Sequence, residues 1–95
     1  MTEFLVEFYL PRTDAAALGR SVRRARRAAE EQTRQGIQVR YLRSMYLPDD
    51  ESCLLLYEAD SAEAARRAAA LAAIAFERVS EVIGDTLTAD TREGA

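Results

Sequence analysis

Few side chains in this 95-residue chain can do chemistry, because it contains no His, no Trp and one Cys. Cys53 is the single soft nucleophile. A catalytic thiol needs a base or a positive field to bring its pKa down from about 8.5. No imidazole exists to help it, which leaves Arg40 or Arg43 on a paired strand as a source of positive charge. A lone Cys between apolar strand residues reads more simply as a buried small hydrophobe. Glu7 interrupts an apolar strand and shares a face with Tyr9, opposite Phe4, Val6 and Phe8. In an enclosed cleft its carboxyl would lose water and its pKa would rise, suiting it to general-base work or to holding a ligand's donor group. The plainer reading is a surface Glu paired with Arg40 or Arg43. Tyr9, Tyr41, Tyr46 and Tyr57 could line such a cleft and donate phenolic hydrogen bonds, although packing at an interface is the ordinary use of these amphipathic rings.

Two charged runs invite stronger readings. Asp49-Asp50-Glu51 is oxygen-rich, but consecutive acids after Pro48 are turn formers that normally stay solvated. The segment Arg20-Ser21-Val22-Arg23-Arg24-Ala25-Arg26-Arg27 looks basic enough for phosphate. On a helix, however, Arg20, Arg23, Arg24 and Arg27 share their face with Glu30 and Glu31. Arg26 with Glu30 and Arg27 with Glu31 fall at i,i+4, which describes a salt-bridged solvated face. The glycines are isolated, so no loop can cradle a phosphate. The strand Ser52 to Glu58 lacks the basic-Gly-aromatic opening of an RNA-binding sheet. With a net charge of −3, nucleic acid is not an expected partner.

The elements that must position these residues follow from periodicity. Alternation from Glu3 to Leu10 marks a strand ended by Pro11. Ala15, Leu18, Val22, Ala25 and Ala29 recur at helical steps from a cap at Thr13 or Asp14 to Gly36. Ile37 to Leu47 alternates again, with Ile37, Val39, Tyr41 and Met45 against Leu42, Ser44 and Tyr46. Pro48 to Glu51 turns the chain into a third strand, Cys53 to Tyr57, making a hairpin. Asp60-Ser61-Ala62-Glu63 reads as a capping box opening an Ala-rich helix to about Ala73. Arg78 to Ile83 forms a last strand. The order β-α-β-β-α-β predicts an α+β, ferredoxin-like fold: a four-stranded antiparallel sheet with both helices on one face. The other face is left open, and apolar side chains there predict a homodimer, sheet-packed or closed as an α+β barrel.

Composition sets the outer bounds. At 10.6 kDa, with 48% hydrophobic and 31% charged residues, the chain is one folded domain, expected over residues 1–83, with a polar tail over 84–95. All 13 cations are Arg and Ala is abundant, as a GC-rich coding sequence produces. Charge is divided, the first part of the chain to Arg43 being basic and the remainder acidic, so the two parts can attract each other. One unpaired Cys and a start, Met1-Thr2-Glu3, that passes directly into a strand favour a cytoplasmic protein. The apolar run Ala68 to Phe76 is too short to span a bilayer, so no membrane is an expected partner.

The run Ile37-Gln38-Val39-Arg40-Tyr41-Leu42-Arg43-Ser44, Cys53, the junction Tyr57-Glu58-Ala59-Asp60-Ser61-Ala62-Glu63-Ala64 and the segment Arg66 to Val82 together resemble a family of small bacterial proteins of unknown function that includes a nickel-binding member. The resemblance spans residues 3–83 and implies a ferredoxin-like, dimeric protein. Two departures stand out. The Gly and Pro usual at the end of the second helix are Ala73 and Ala75 here, which implies a longer helix. No His is present, so no family His ligand carries over onto any position, although nickel is well served by imidazole.

The resulting expectation is a homodimeric module, without a cofactor, that binds a small ligand or partner on the open face through Glu7, Tyr9, Arg40, Tyr41, Arg43, Cys53 and Tyr57. The alternatives are a cofactor-free enzyme of the dimeric α+β barrel type, with Glu7 or a Tyr moving a proton, and a nickel-binding protein.

Overall fold

Phe4, Val6 and Phe8 alternate with Leu5, Glu7 and Tyr9 in the first strand, β1 (Thr2–Tyr9), where the first three are buried and Tyr9 is exposed. The computed structural model describes residues 1–84. All but Gly84 of the expected polar tail lies outside them. The elements that follow are α1 (Ala15–Arg34), β2 (Val39–Leu47), β3 (Ser52–Ala59), α2 (Ala62–Leu71) and β4 (Phe76–Val82). The strands form one antiparallel sheet in the order β2-β3-β1-β4, the ferredoxin-like arrangement. Helix α1 packs over β2, and α2 packs mainly over β1, β3 and β4.

Both helices cover the same side. Cys53, Leu55, Tyr57 and Ala59 of β3 are buried there with Phe4, Val6 and Phe8 of β1. On α2, Ala64, Ala65, Ala68 and Ala69 are all buried. Their methyl groups let the helix axis approach the sheet, and a larger side chain at any of them would overpack the core at a cost of about 1–3 kcal/mol.

Two bulges decide which side chains reach which face. In β2, Tyr41 pairs with Tyr57 but Arg43 pairs with Leu56, so Leu42 is an extra residue. The simple alternation expected from Ile37 to Leu47 therefore breaks. Tyr41 joins Ser44 and Tyr46 on the helix side, opposite Tyr57, Leu55 and Cys53, while Arg43, Met45 and Leu47 take the open side. A second irregularity, at Glu77, sets Arg78 opposite Glu7 and Phe76 opposite Phe8.

Helix ends differ from expectation in instructive ways. On α2 the cap is Ser61, whose Oγ accepts from the Ala64 N–H at 3.2 Å, and not the Asp60 and Glu63 pair. Asp14 stands at the N-cap of α1 without a side-chain cap bond. Both helices end in the same six-residue turn. In α1, Ile37 N–H donates to Gln32 O and Gly36 N–H to Thr33 O, both at 3.0 Å, with Gly36 at φ 90°. This turn delays β2 to Val39. In α2, Ile74 N–H donates to Ala69 O at 3.1 Å and Ala73 N–H to Ala70 O at 3.0 Å, with Ala73 at φ 60°. The helix stops at Leu71 and is not lengthened by its alanines, because Ala73 adopts the left-handed conformation that glycine adopts in α1.

Candidate functional site: the open sheet face

The side of the sheet without helices carries a stripe of Leu5, Leu54, Leu56 and Met45, all half-buried, bordered by Tyr9 and Leu47, which are 57% and 46% exposed. Strand register places them together: Leu5 stands opposite Leu56, and Leu54 lies between Glu7 and Met45.

Glu7 sits within this stripe and is fully engaged. Its Oε1 accepts from Arg78 Nη2 at 2.8 Å and from Arg78 Nε at 3.3 Å, and its Oε2 accepts from Ser52 Oγ at 3.1 Å. The Arg78 hydrogen bonds, and then that of Ser52, hold its carboxyl below the ordinary value, outweighing some desolvation. A carboxylate held ionised in this way is a weak proton acceptor, so the rise expected of a general base is reversed. Its partner is Arg78, not Arg40 or Arg43, because β4 is its neighbour and β2 is two strands away. Arg40 instead bonds Glu58 directly across the hairpin, at 2.9 Å. Arg43 is exposed on the open face and has no carboxylate partner among the described residues.

Beside Glu7 lies a shallow depression of about 450 Å³ between Tyr9, Leu47, Leu54 and the β2–β3 turn. That turn is tied to the β1–α1 connection: the Arg12 N–H donates to Glu51 Oε2 at 3.0 Å, and the Arg12 guanidinium approaches Asp49 at 3.7 Å. Its acids therefore serve as turn residues.

Three expected site residues lie on the other side. Cys53 is completely buried beneath the helices, and loss of solvation pushes its thiol up to about 11. Arg40 and Arg43 stand on the opposite face and cannot lower it. Tyr57 is likewise fully buried, with its phenol pushed up chiefly by burial. Tyr41, half-buried, meets Tyr57 edge to face at 5.9 Å. The structure thus groups Glu7 and Tyr9 at the open face and Arg40 and Arg43 toward its β2 edge. Tyr41, Cys53 and Tyr57 belong to the covered side. Tyr46 Oη donates to Leu10 O at 2.7 Å, a structural tie.

The basic run of α1 also resolves differently. Arg20 pairs with Asp14, Arg24 Nε donates to the Ala72 carbonyl at 2.8 Å, and Arg34 is the cation that holds Glu31. The expected pairs of Arg26 with Glu30 and Arg27 with Glu31 do not form, since Arg26 lies over the Tyr41 ring, 5.4 Å from its centroid. Sequence reasoning passed over Ser52 and Arg78, which hold Glu7. It also passed over Gln32, which is fully buried between the helices, with Nε2 donating to Ala64 O at 3.5 Å.

With this geometry in place, the sequence matches over residues 4–82 the model of the family described as nickel responsive protein SCO4226-like. The chain belongs to the SCO4226-like family. The crystal structure of SCO4226 from Streptomyces coelicolor A3(2) is similar, with a TM-score of 0.69 at 16% identity over 88% of this chain and 99% of that one. At this identity the likeness shows the fold. No curated protein matches the sequence. Among the described residues, the donor set of this SCO4226-like chain does not fit nickel. It has no imidazole, its one thiol is buried and keeps its proton, and no group of three His, Cys, Asp or Glu among the described residues could hold a metal ion. No helix among the described residues is long and apolar enough to cross a membrane.

Proposed function

We propose that the chain is a homodimeric small-ligand-binding module in which two copies cover each other's open sheet faces, and the ligand sits in the depression beside Glu7 and Tyr9, with Arg40 and Arg43 at the far, β2 edge of the same face. The observation that carries this reading is the half-buried stripe Leu5, Leu54, Leu56 and Met45 on a face over which no described helix packs. A second copy suits that face in charge as well as apolarity. A two-fold axis along the strands would set the basic edge β2, with Arg40 and Arg43, over the β4 side of the partner, where Glu3 lies level with Arg40 and where Arg78 is already neutralised by Glu7. Opposite charges then meet around an apolar centre.

The face is small. Four strands about 4.8 Å apart and residues rising about 3.3 Å each give roughly 500 Å² per copy. That amounts to about 1,000 Å² in total, at the lower bound for a specific interface, so the dimer should dissociate in the micromolar range. The Leu56→Arg variant should raise the dissociation constant at least about tenfold, because it buries a cation beside Arg43. Sedimentation velocity against concentration reads both values.

The enzyme reading is weaker because Glu7 is held as an ion by Arg78 and Ser52. Glu7→Gln should leave dimerisation intact and so separates a proton-transfer role from a structural one. Elemental analysis after nickel exposure should find less than one nickel per chain. Stoichiometric retention would reinstate the metal-binding reading.

A further inference from the structure

On the helix-covered side, the C-terminal half of α1 and the edge strand β2 enclose a groove of about 500 Å³, within the range that holds small organic ligands. Its floor is apolar: Ala29 and Val39 are each 3% exposed, and the Tyr41 ring forms one wall. Its rim holds three guanidinium groups, from Arg26, Arg34 and Arg40, and the Glu30 carboxylate, with Glu31 and Glu58 paired to Arg34 and Arg40. We propose that this groove binds a small amphipathic anion, an aryl carboxylate or its sulfonate equivalent, with the ring on the apolar floor and the charge among the three arginines.

The arginines have donors to offer. Arg34 and Arg40 each place one nitrogen on a carboxylate, Glu31 and Glu58 respectively, and their side chains remain 65% and 68% exposed. A guanidinium carries five N–H donors in a planar fork, so a second anion can be bound without breaking either pair. Arg26 already lies over the Tyr41 ring, and an aromatic ligand can enter that stack as a further layer. Helix α1 carries six Arg and two Glu, a field that concentrates anions at its surface.

The Tyr41 wall is itself supported from below. Beneath Tyr41 stands Tyr57, whose ring is fully buried and whose Oη has no hydrogen-bond partner in the structure. Buried hydroxyls are normally paired. Tyr57 backs the Tyr41 wall from beneath and does not itself line the groove. The groove opens on the helix side of β2, away from the apolar stripe of the interface proposed above; only Arg40, at the sheet edge, borders both surfaces, so the arginines of α1 keep the two readings separable.

Residue-resolved NMR titration of the full chain with 2-naphthoate, and in parallel with the neutral 2-naphthamide, tests the assignment. The expected result is saturable shifts centred on the amides of Ala29, Val39 and Tyr41. The amide should bind about tenfold or more weakly, because it lacks the charge-assisted bonds. Binding should weaken with added salt, and the Arg26→Ala/Arg34→Ala variant, which leaves the open face untouched, should lose a similar factor. Arg34→Ala provides the same reading should that double variant not fold. Overturning results are shifts centred on Leu54 and Leu56, equal affinity for acid and amide, full affinity in the arginine variants, or no saturation below about 10 mM, where binding would be weaker than any useful site.

Discussion

Replacing Ala73 by glycine should stabilise the protein, and the size of the gain follows from the two helix ends. Ala73 occupies the left-handed position of the α2 terminus, at φ 60°, and its methyl group is exposed and contributes little packing. A left-handed L-residue costs about 1–2 kcal/mol, while introducing glycine frees the unfolded chain by about 0.4–1 kcal/mol. The net gain is about 0.5–1 kcal/mol, which for a domain of this size raises Tm by roughly 2–8 °C. Gly36 at the end of α1 is the internal control, since a Cβ built there meets nothing within 4 Å and Gly36→Ala therefore reports the backbone cost alone. It should lower Tm by a similar amount. Thermal unfolding followed by circular dichroism, at one fixed protein concentration because association raises Tm, reads both variants. A lower Tm for Ala73→Gly would refute the reasoning and indicate that α2 continues through residue 73 as a regular helix.

Other groups give independent checks. The Glu7 carboxyl, held down by Arg78 and Ser52, should titrate below the ordinary Glu value by NMR and move up in Arg78→Ala. Because its folded pKa is depressed, its contribution to stability is present above the unfolded value and is lost as pH falls through the folded one. The Cys53 thiol, pushed up to about 11 by burial, should resist iodoacetamide at pH about 8 until denaturant is added, since the thiolate is the reactive form. Here the folded pKa is raised, so the associated stability is present below the ordinary thiol value and disappears as pH climbs from there toward about 11. Tyr57→Phe removes a buried hydroxyl without a partner in the structure and should leave stability unchanged or raise it by about 1 kcal/mol. A clear loss would mean that the hydroxyl is paired.

The parts of the fold that depend on local period were legible in the sequence. Phe4, Val6 and Phe8 announced the buried face of β1, and Pro48 to Glu51 announced the hairpin. From these the strand order and the open face follow. What escaped depends on single-residue events or distant register. One extra residue, Leu42, moves Tyr41 to the helix side and Arg43 to the open side, and period-two counting cannot detect it. The partner of Glu7 lies 71 positions away in β4, so the nearer-seeming Arg40 and Arg43 were the natural candidates. The end of α2 was hidden because alanine is the best helix former, yet Ala73 adopts a glycine conformation under tertiary packing of Ile74, which is 6% exposed. The groove beside α1 was invisible for a related reason: Arg26, Ala29 and Val39 converge only once the helix lies over the edge strand.

Sedimentation equilibrium over about 1–200 µM is the direct test of the buried open face, because the small interface implies dissociation within that range. The mass should rise to twice the 10.6 kDa of the chain, with Leu56→Arg remaining at the single-chain mass under the same conditions. A wild-type mass that stays at 10.6 kDa throughout would contradict it, leaving Leu5, Leu54 and Leu56 in water with no second copy to cover them.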